Sequence, residues 1–283
     1  MNIKWNGEKL ENDSFPVYLG VTLDRTLSFK EHVGKVKAKV ATRNNILEKL
    51  SNSSWGTNPE TLRTTAMALS YSTAEYCAPV WGNSCHARKI DPELNNACRI
   101  ITGTLRPTPL PSVYRLAGIA PPHIRRETRT RTQKHKQEND PRHTLYGHVK
   151  PRSRLKSRSA FMTTESLDPE EASRHRLTKW REWDQTTDNT AVQEPTEELA
   201  KGTDLPRREW VALNRARSKV GRTAKNLHRW NLSESGECTC GEPTQSMEHL
   251  LRDCRLGPTC TDTDLLECNE SAKTWIRHYS DKI

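Results

Sequence analysis

Aliphatic side chains and phenylalanine are scarce in this chain of 283 residues. Leu, Ile, Val and Phe together make roughly 17%, with only three Phe, below the ~20% under which a charged chain tends toward disorder. A single apolar core running through the whole chain is therefore not expected. No run of about 18 apolar residues occurs, and the first residues, Met1 to Asn6, lack the apolar stretch of a signal peptide. Neither a membrane protein nor a secreted precursor is expected. No two Asp are adjacent, so the paired carboxylates with which polymerases hold their metal ions have no obvious source. Walker-type phosphate loops, dinucleotide-binding glycine fingerprints and nucleophile elbows are missing as well. Eight Cys are too few for a disulfide scaffold of this length. Five of them, however, fall between Cys238 and Cys268, the pattern of a local metal site.

What the chain does have is positive charge, a net +10, which favours a polyanionic partner. The charge is blocked. Residues 121–160 hold twelve Lys/Arg against three Asp/Glu, and 161–200 reverse the sign with ten acidic residues against four basic. Such blocks read as solvated surfaces and linkers. With Pro121, Pro122, Pro141, Pro151, Pro169 and Pro195 breaking it, 121–204 is expected to be a largely disordered linker with a transient helix around Glu170–Trp183. Trp180 and Trp183 there suit a local docking contact better than a base-stacking platform.

The first 120 residues carry most of the periodic apolar signal. Asn6-Gly7 is a hairpin turn signal, and Val17 to Leu23, β-branched and aromatic, predicts a buried strand. The period then changes. Phe29, Val33, Val36, Val40, Leu47 and Leu50 fall on one face of a helix. A second helix is predicted from Pro59, carrying Leu62, Ala66, Leu69, Thr73 and Tyr76. A third is predicted from Asp91 to near Gly103 on Leu94, Ala97 and Ile101.

The strongest local signal is Cys238-Thr239-Cys240-Gly241 followed by His249 and Cys254. Zinc takes four thiolate or imidazole ligands in a tetrahedron, and Gly241 allows a turn straight after the thiol pair. Cys238, Cys240, His249 and Cys254 are the expected ligands, with Cys260 a competitor for the fourth position; ordinary reduced thiols beside a surface His are the bland alternative. Before the cluster, Trp210, Leu213, Val220, Ala224, Leu227 and Trp230 mark a helical face, and Gly221 is expected to kink or split it. Arg208, Arg215, Arg222 and Arg229 recur every seven residues, near one stripe, with Lys219 and Lys225 close by. Guanidinium forks in a row suit phosphate contacts, and a solvated face is the competing reading.

Tyr18 to Asp24, followed by Leu27-Ser28-Phe29-Lys30-Glu31-His32, resembles the stretch just beyond the catalytic core of non-LTR (LINE-type, jockey-like) retrotransposon reverse transcriptases. The run Ser72 to Trp81, Arg99 to Gly103 and Leu105 to Pro109 are similar to the next region of that family's chain. Leu205-Pro206-Arg207 with Trp210 to Arg215, Gly221-Arg222 and the Cys-Cys-His-Cys cluster are similar to its C-terminal tail. The resemblance covers about two-thirds of the chain. It implies a mainly α fold. Residues 1–28 would be a palm-edge, primer-grip-like β segment with Tyr18, Leu19 and Gly20 at nucleic acid, and 29–120 a helical thumb-like bundle. The linker 121–204 would come next, then a basic helix and zinc knuckle over 205–283. The implied activity is RNA-directed DNA polymerase, inactive in this chain alone because the catalytic box is absent, with Mg expected only for the full-length enzyme. RNA or DNA (element transcript or template–primer) are the implied partners, with no membrane and no small-molecule substrate. The alternative is a stand-alone zinc-knuckle nucleic-acid-binding protein derived from such an element.

Overall fold

The computed structural model describes residues 4–9, 13–52, 55–147, 160–187, 193–281 and 283, and it is mainly α-helical. Its strands are short. β1 (Lys4–Trp5) pairs antiparallel with β2 (Glu8–Lys9) across the predicted Asn6-Gly7 turn. β3 (Val17–Tyr18) pairs with β4 (Val21–Thr22), so the single buried strand expected over 17–23 is instead a hairpin. Leu19 and Gly20 sit at φ 46° and 81°, the positive-φ geometry of a two-residue hairpin turn; Gly20 adopts it without strain, and Leu19 goes with it. The turn leaves Tyr18 and Leu19 exposed, at 68% and 72%, and only Val21 and Thr22 buried.

α1 (Lys30–Leu50) starts where Asp24 takes over the role of a cap. Its carboxylate accepts from the amides of Ser28 at 3.0 Å and Phe29 at 2.6 Å. These bonds, the Ser28 amide foremost, hold the acid well below the usual carboxylate range. Val33, Val36, Val40 and Leu47 are buried as the spacing predicts. α2 (Pro59–Ala66) begins with the Asn58 side chain accepting from the Thr61 amide. The helix expected onward to Tyr76 continues as far as Ala74, but not as uniform α-helix. Its backbone widens into a π-turn at Met67–Tyr71 before α3 (Ser72–Ala74) and α4 (Ala78–Trp81). A 3-10 turn (Ala87–Ile90) leads into α5 (Asp91–Thr102), which Gly103 ends at φ 72°, and α6 (Leu110–Ala117) comes after it.

The expected linker is largely built into this bundle. α7 (Pro122–Asn139), α8 (Ala160–Thr163) and α9 (Ala172–Asp184) fall inside it. The segment has few apolar residues but many that pair. Arg125 grips the buried Glu75 at 2.5 and 3.1 Å, Arg126 takes Asp91 at 2.6 Å, and Arg115 reaches Asp184 at 3.2 Å. Composition alone signals solvation; paired and hydrogen-bonded charges escape that rule. Trp180 is fully buried in the bundle core, the docking contact expected of it, and Trp183 packs against Tyr114 and His123. Residues 148–159 and 188–192 of the expected linker lie outside the described residues.

The C-terminal region has its own core. α10 (Arg207–Arg217), α11 (Ala224–Arg229), α12 (Met247–Arg252), α13 (Asp262–Glu267) and α14 (Glu270–Tyr279) run in order along it. Leu213, Leu250, Leu251, Leu265, Trp275 and Ile276 pack there together with the cysteines. Among the described residues, no helix is long and apolar enough to cross a membrane.

Candidate metal centre and basic surfaces

Two local folds bring the four candidate ligands together. The first is a tight turn in which the Cys238 amide donates to the Glu242 carbonyl at 2.8 Å and the Gly241 amide to the Cys238 carbonyl at 2.9 Å. Gly241, at φ 96°, lets the chain reverse directly after Cys240. The second is α12, whose N-terminus is capped by Ser246 accepting the His249 amide at 3.0 Å. Its last turn closes with the amides of Asp253 and Cys254 both on the His249 carbonyl. Gln245 ties the turn to α11: its amide donates to Gly236, its side-chain oxygen accepts the Ala224 amide at 2.8 Å, and its side-chain nitrogen points at Cys238 Sγ from 3.6 Å.

The ligand atoms of Cys238, Cys240, His249 and Cys254 all lie within 4.8 Å of one another, so the four could hold a metal ion. Cys238 Sγ and Cys254 Sγ are 3.9 Å apart, and Cys240 Sγ is 3.3 Å from His249 Nε2. A tetrahedral zinc ion with sulfur at ~2.3 Å and nitrogen at ~2.0 Å separates two sulfurs by about 3.8 Å and sulfur from nitrogen by about 3.5 Å. The residues fit such an ion.

Electrostatics favours the same chemistry. Burial raises the Cys238 thiol, but the Cys240 amide and the Gln245 side chain outweigh it and bring the pKa down to about 6. Cys240 is shifted upward: the Glu242 amide lowers it, but burial and the Cys238 thiol beside it prevail. Tyr279 is pushed up by burial and then by its hydrogen bond to Cys254, placing a phenol behind that ligand. Cys260 belongs to the core instead: its thiol faces the Thr261 carbonyl, and burial pushes it to about 12. Cys268 stands outside the ligand set as well.

The fold breaks the helix that would carry the predicted arginine stripe, although Arg208, Arg215 and Arg222 still line one groove. α10 ends at Arg217, Lys219 takes φ 55°, and a new helix begins at Ala224, so the four arginines do not share one continuous helix. The split falls around Gly221, where an added Cβ would collide with Met247 Cε. Arg215 turns inward, donating to the Gly103 carbonyl at 3.1 Å and the Ile283 main-chain oxygen at 2.6 Å. Lys219 pairs with Asp262, and Arg208 with Asp281. Arg222 and Arg229 are exposed, Arg229 lying over the Trp230 ring at 5.9 Å.

Several groups on α10 act as a clamp instead. Arg207 donates to the carbonyls of Ile100 and Ile101, Trp210 Nε1 to Ile101, and Asn214 to Thr102 at 3.0 Å. These are the carbonyls that a helix end leaves without partners, where the negative end of the α5 dipole also favours cations. Arg217 is buried and does the same for α13, donating to Leu265 at 2.9 Å and Leu266 at 3.3 Å. The helix joins the two cores.

Sequence reasoning missed a second basic surface. Lys35, Lys39 and Arg43 succeed one another at intervals of four along α1, a step of ~6 Å, and line a groove of about 650 Å³ with Val17, Gly20 and Tyr76. Among the described residues no carboxylate lines it. Tyr76 Oη donates to the Leu19 carbonyl at 3.1 Å, fixing the β3–β4 hairpin over the groove. Of Tyr18, Leu19 and Gly20, only Gly20 lines this cationic groove; Leu19 touches its Tyr76 wall through the carbonyl, and Tyr18 and Leu19 are exposed rather than strand-buried. The signal for it in the sequence is the Lys-x3-Lys-x3-Arg spacing along the first predicted helix.

The chain matches no family model, no curated protein and no solved structure.

Proposed function

We propose that this chain binds nucleic acid and corresponds to the C-terminal part of a non-LTR retrotransposon reverse transcriptase. The hairpin and α1 would form a primer-grip and thumb-like surface, and the Cys-Cys-His-Cys cluster would be a structural zinc knuckle. The observation that carries the binding is the α1 groove: three cations in register with a lining Tyr76, and no acidic side chain among its described lining residues. Phosphates neutralised along such a row release counterions, so affinity falls steeply with salt. The double variant K35Q/K39Q leaves the buried face of α1 intact. It is expected to weaken binding of a labelled oligonucleotide and to reduce the slope of log affinity against log salt by about 1.4–1.8. An unchanged slope would reject the groove as the binding surface.

The sequence holds no adjacent Asp pair, so this chain by itself should not extend a primer on an RNA template; metal-dependent extension by a purified preparation would refute that. The same absence favours, as a second reading, a stand-alone zinc-knuckle nucleic-acid-binding protein derived from such an element.

A further inference from the structure

A second groove, of about 600 Å³, lies between α10, α11 and the end of α14. Arg208, Arg215 and Arg222 all line it, two of them at opposite ends of two turns of α10 and the third in the loop beyond. The heptad spacing thus converges three guanidinium groups on one place even though the helix is broken. Against them, among the described lining residues, stands one carboxylate, Asp281. Arg208 pairs with it, and Arg215 has only main-chain oxygens. Arg222 has no partner among the described residues. The imbalance is felt within the groove: burial and then the nearby Arg222 charge push the Arg215 pKa down to about 10. Val211 and Leu227 add apolar wall, on which a sugar or base edge can pack beside a phosphate.

We propose that this groove is a phosphodiester-binding site held shut from within the chain, with the Asp281 carboxylate on Arg208 and the Ile283 main-chain oxygen on Arg215 standing where phosphate oxygens bind. Asp281 comes directly after α14, whose Trp275 and Tyr279 are anchored in the second core. The plug is therefore tethered, at high effective concentration, and a polyanion must displace it. The surface differs from α1, and the inference rests on the reading that the chain binds nucleic acid.

The test is anisotropy of a labelled single-stranded oligonucleotide, as RNA and as DNA in separate arms, against the full zinc-loaded chain over a range of salt. Asp281→Asn should tighten binding roughly two- to fivefold, the size of an exposed ion pair, and steepen the salt slope by about 0.7 as Arg208 becomes available to phosphate. Arg208→Gln breaks the same ion pair but removes the cation, so it should not tighten binding, and R208Q/D281N should lose the gain. The arm in which the gain is larger identifies the nucleic acid. Unchanged affinity and slope in D281N, a gain that survives R208Q, or a gain for polyglutamate without one for the oligonucleotide would each overturn the proposal. A response to D281N with none to K35Q/K39Q would reject the α1 groove and keep this site; the reverse would reject this site and keep the groove.

Discussion

The N-terminal bundle and the C-terminal region solve the same shortage of apolar residues in different ways. The bundle assembles a contiguous core from α1, α2, α5, α6, α7 and α9, with Trp81 and Trp180 fully buried, and then adds buried ion pairs at its rim. The C-terminal region has short helices and a core in which cysteines fill places that aliphatic side chains hold in the bundle. Helices of six residues cannot persist on propensity. A bundle can lose one contact and stand, whereas a region organised by four ligands around zinc, as proposed for this one, would depend on all of them together.

The largest expected effect separates the two regions outright. Chelating zinc should unfold the C-terminal core while leaving the bundle protected, because structural zinc supplies on the order of 10–16 kcal/mol in small peptides. Hydrogen exchange on the loaded and chelated chain measures this; equal protection in both would show that the region folds without metal. Cys240→Ser should abolish tight zinc binding and Cys268→Ser should not. Loss of zinc in Cys260→Ser with retention in Cys254→Ser would reassign the fourth ligand. Cys238 contributes a pH dependence of definite sign. Its folded pKa of about 6 lies below the ordinary 9.0, so the stability it lends the metal-free fold is full above about 9 and is lost as pH falls through about 6. Zinc affinity should fall across the lower end of that window, since ligation needs thiolates.

Next in size is Glu75→Ala, which leaves Arg125 buried without its carboxylate and should destabilise the bundle by about 3–5 kcal/mol. Zinc content should not change. Denaturant unfolding followed by tryptophan fluorescence, with metal analysis on the same sample, tests both halves. Parallel loss of zinc would mean that the regions do not behave separately.

The smallest effect probes the joint. Gly103 stands at φ 72°, and an added Cβ there would collide with Val211 Cγ2. Gly103→Ala should cost about 1–3 kcal/mol and loosen α10 from α5, read as faster exchange of the α10 amides. Rescue by Val211→Ala would locate the defect at this contact. Charge reversal at Arg215 is the wrong probe of phosphate binding, because it also breaks the contacts with Gly103 and Ile283.

Much of the bundle was legible because its signals are local. Asn58-Pro59 marks a helix start, Gly103 a helix end, and Val33, Val36, Val40 and Leu47 a stripe, and each needs only its neighbours to be read. The Cys-Cys-His-Cys cluster that could hold a metal was legible for the same reason: a Cys-x-Cys turn and a short capped helix define themselves. What escaped depends on partners far along the chain. Arg125 looks solvated until Glu75 is placed beside it, and Arg215 looks like a free member of a stripe until the Gly103 and Ile283 main-chain oxygens are placed beside it. The β3–β4 hairpin escaped because Val17 to Leu23 has strand composition throughout, and a single positive-φ pair decides its fate.

The π-turn at Met67–Tyr71 has a bearing on how this chain tolerates change in length. A helix advances about 100° per residue, and a π-turn accommodates one residue more than the α-helical count. Removing a single residue there would let the backbone relax into continuous α-helix with its flanks still aligned, whereas straightening the turn with the residue kept would swing everything after it by about that angle relative to α2. Tyr71 would leave Cys98, now 3.0 Å away, and Glu75 would leave Arg125. The bulge is thus a register lock: it stores one inserted residue, and the bundle stays aligned only while that residue and the wide turn are kept or lost together.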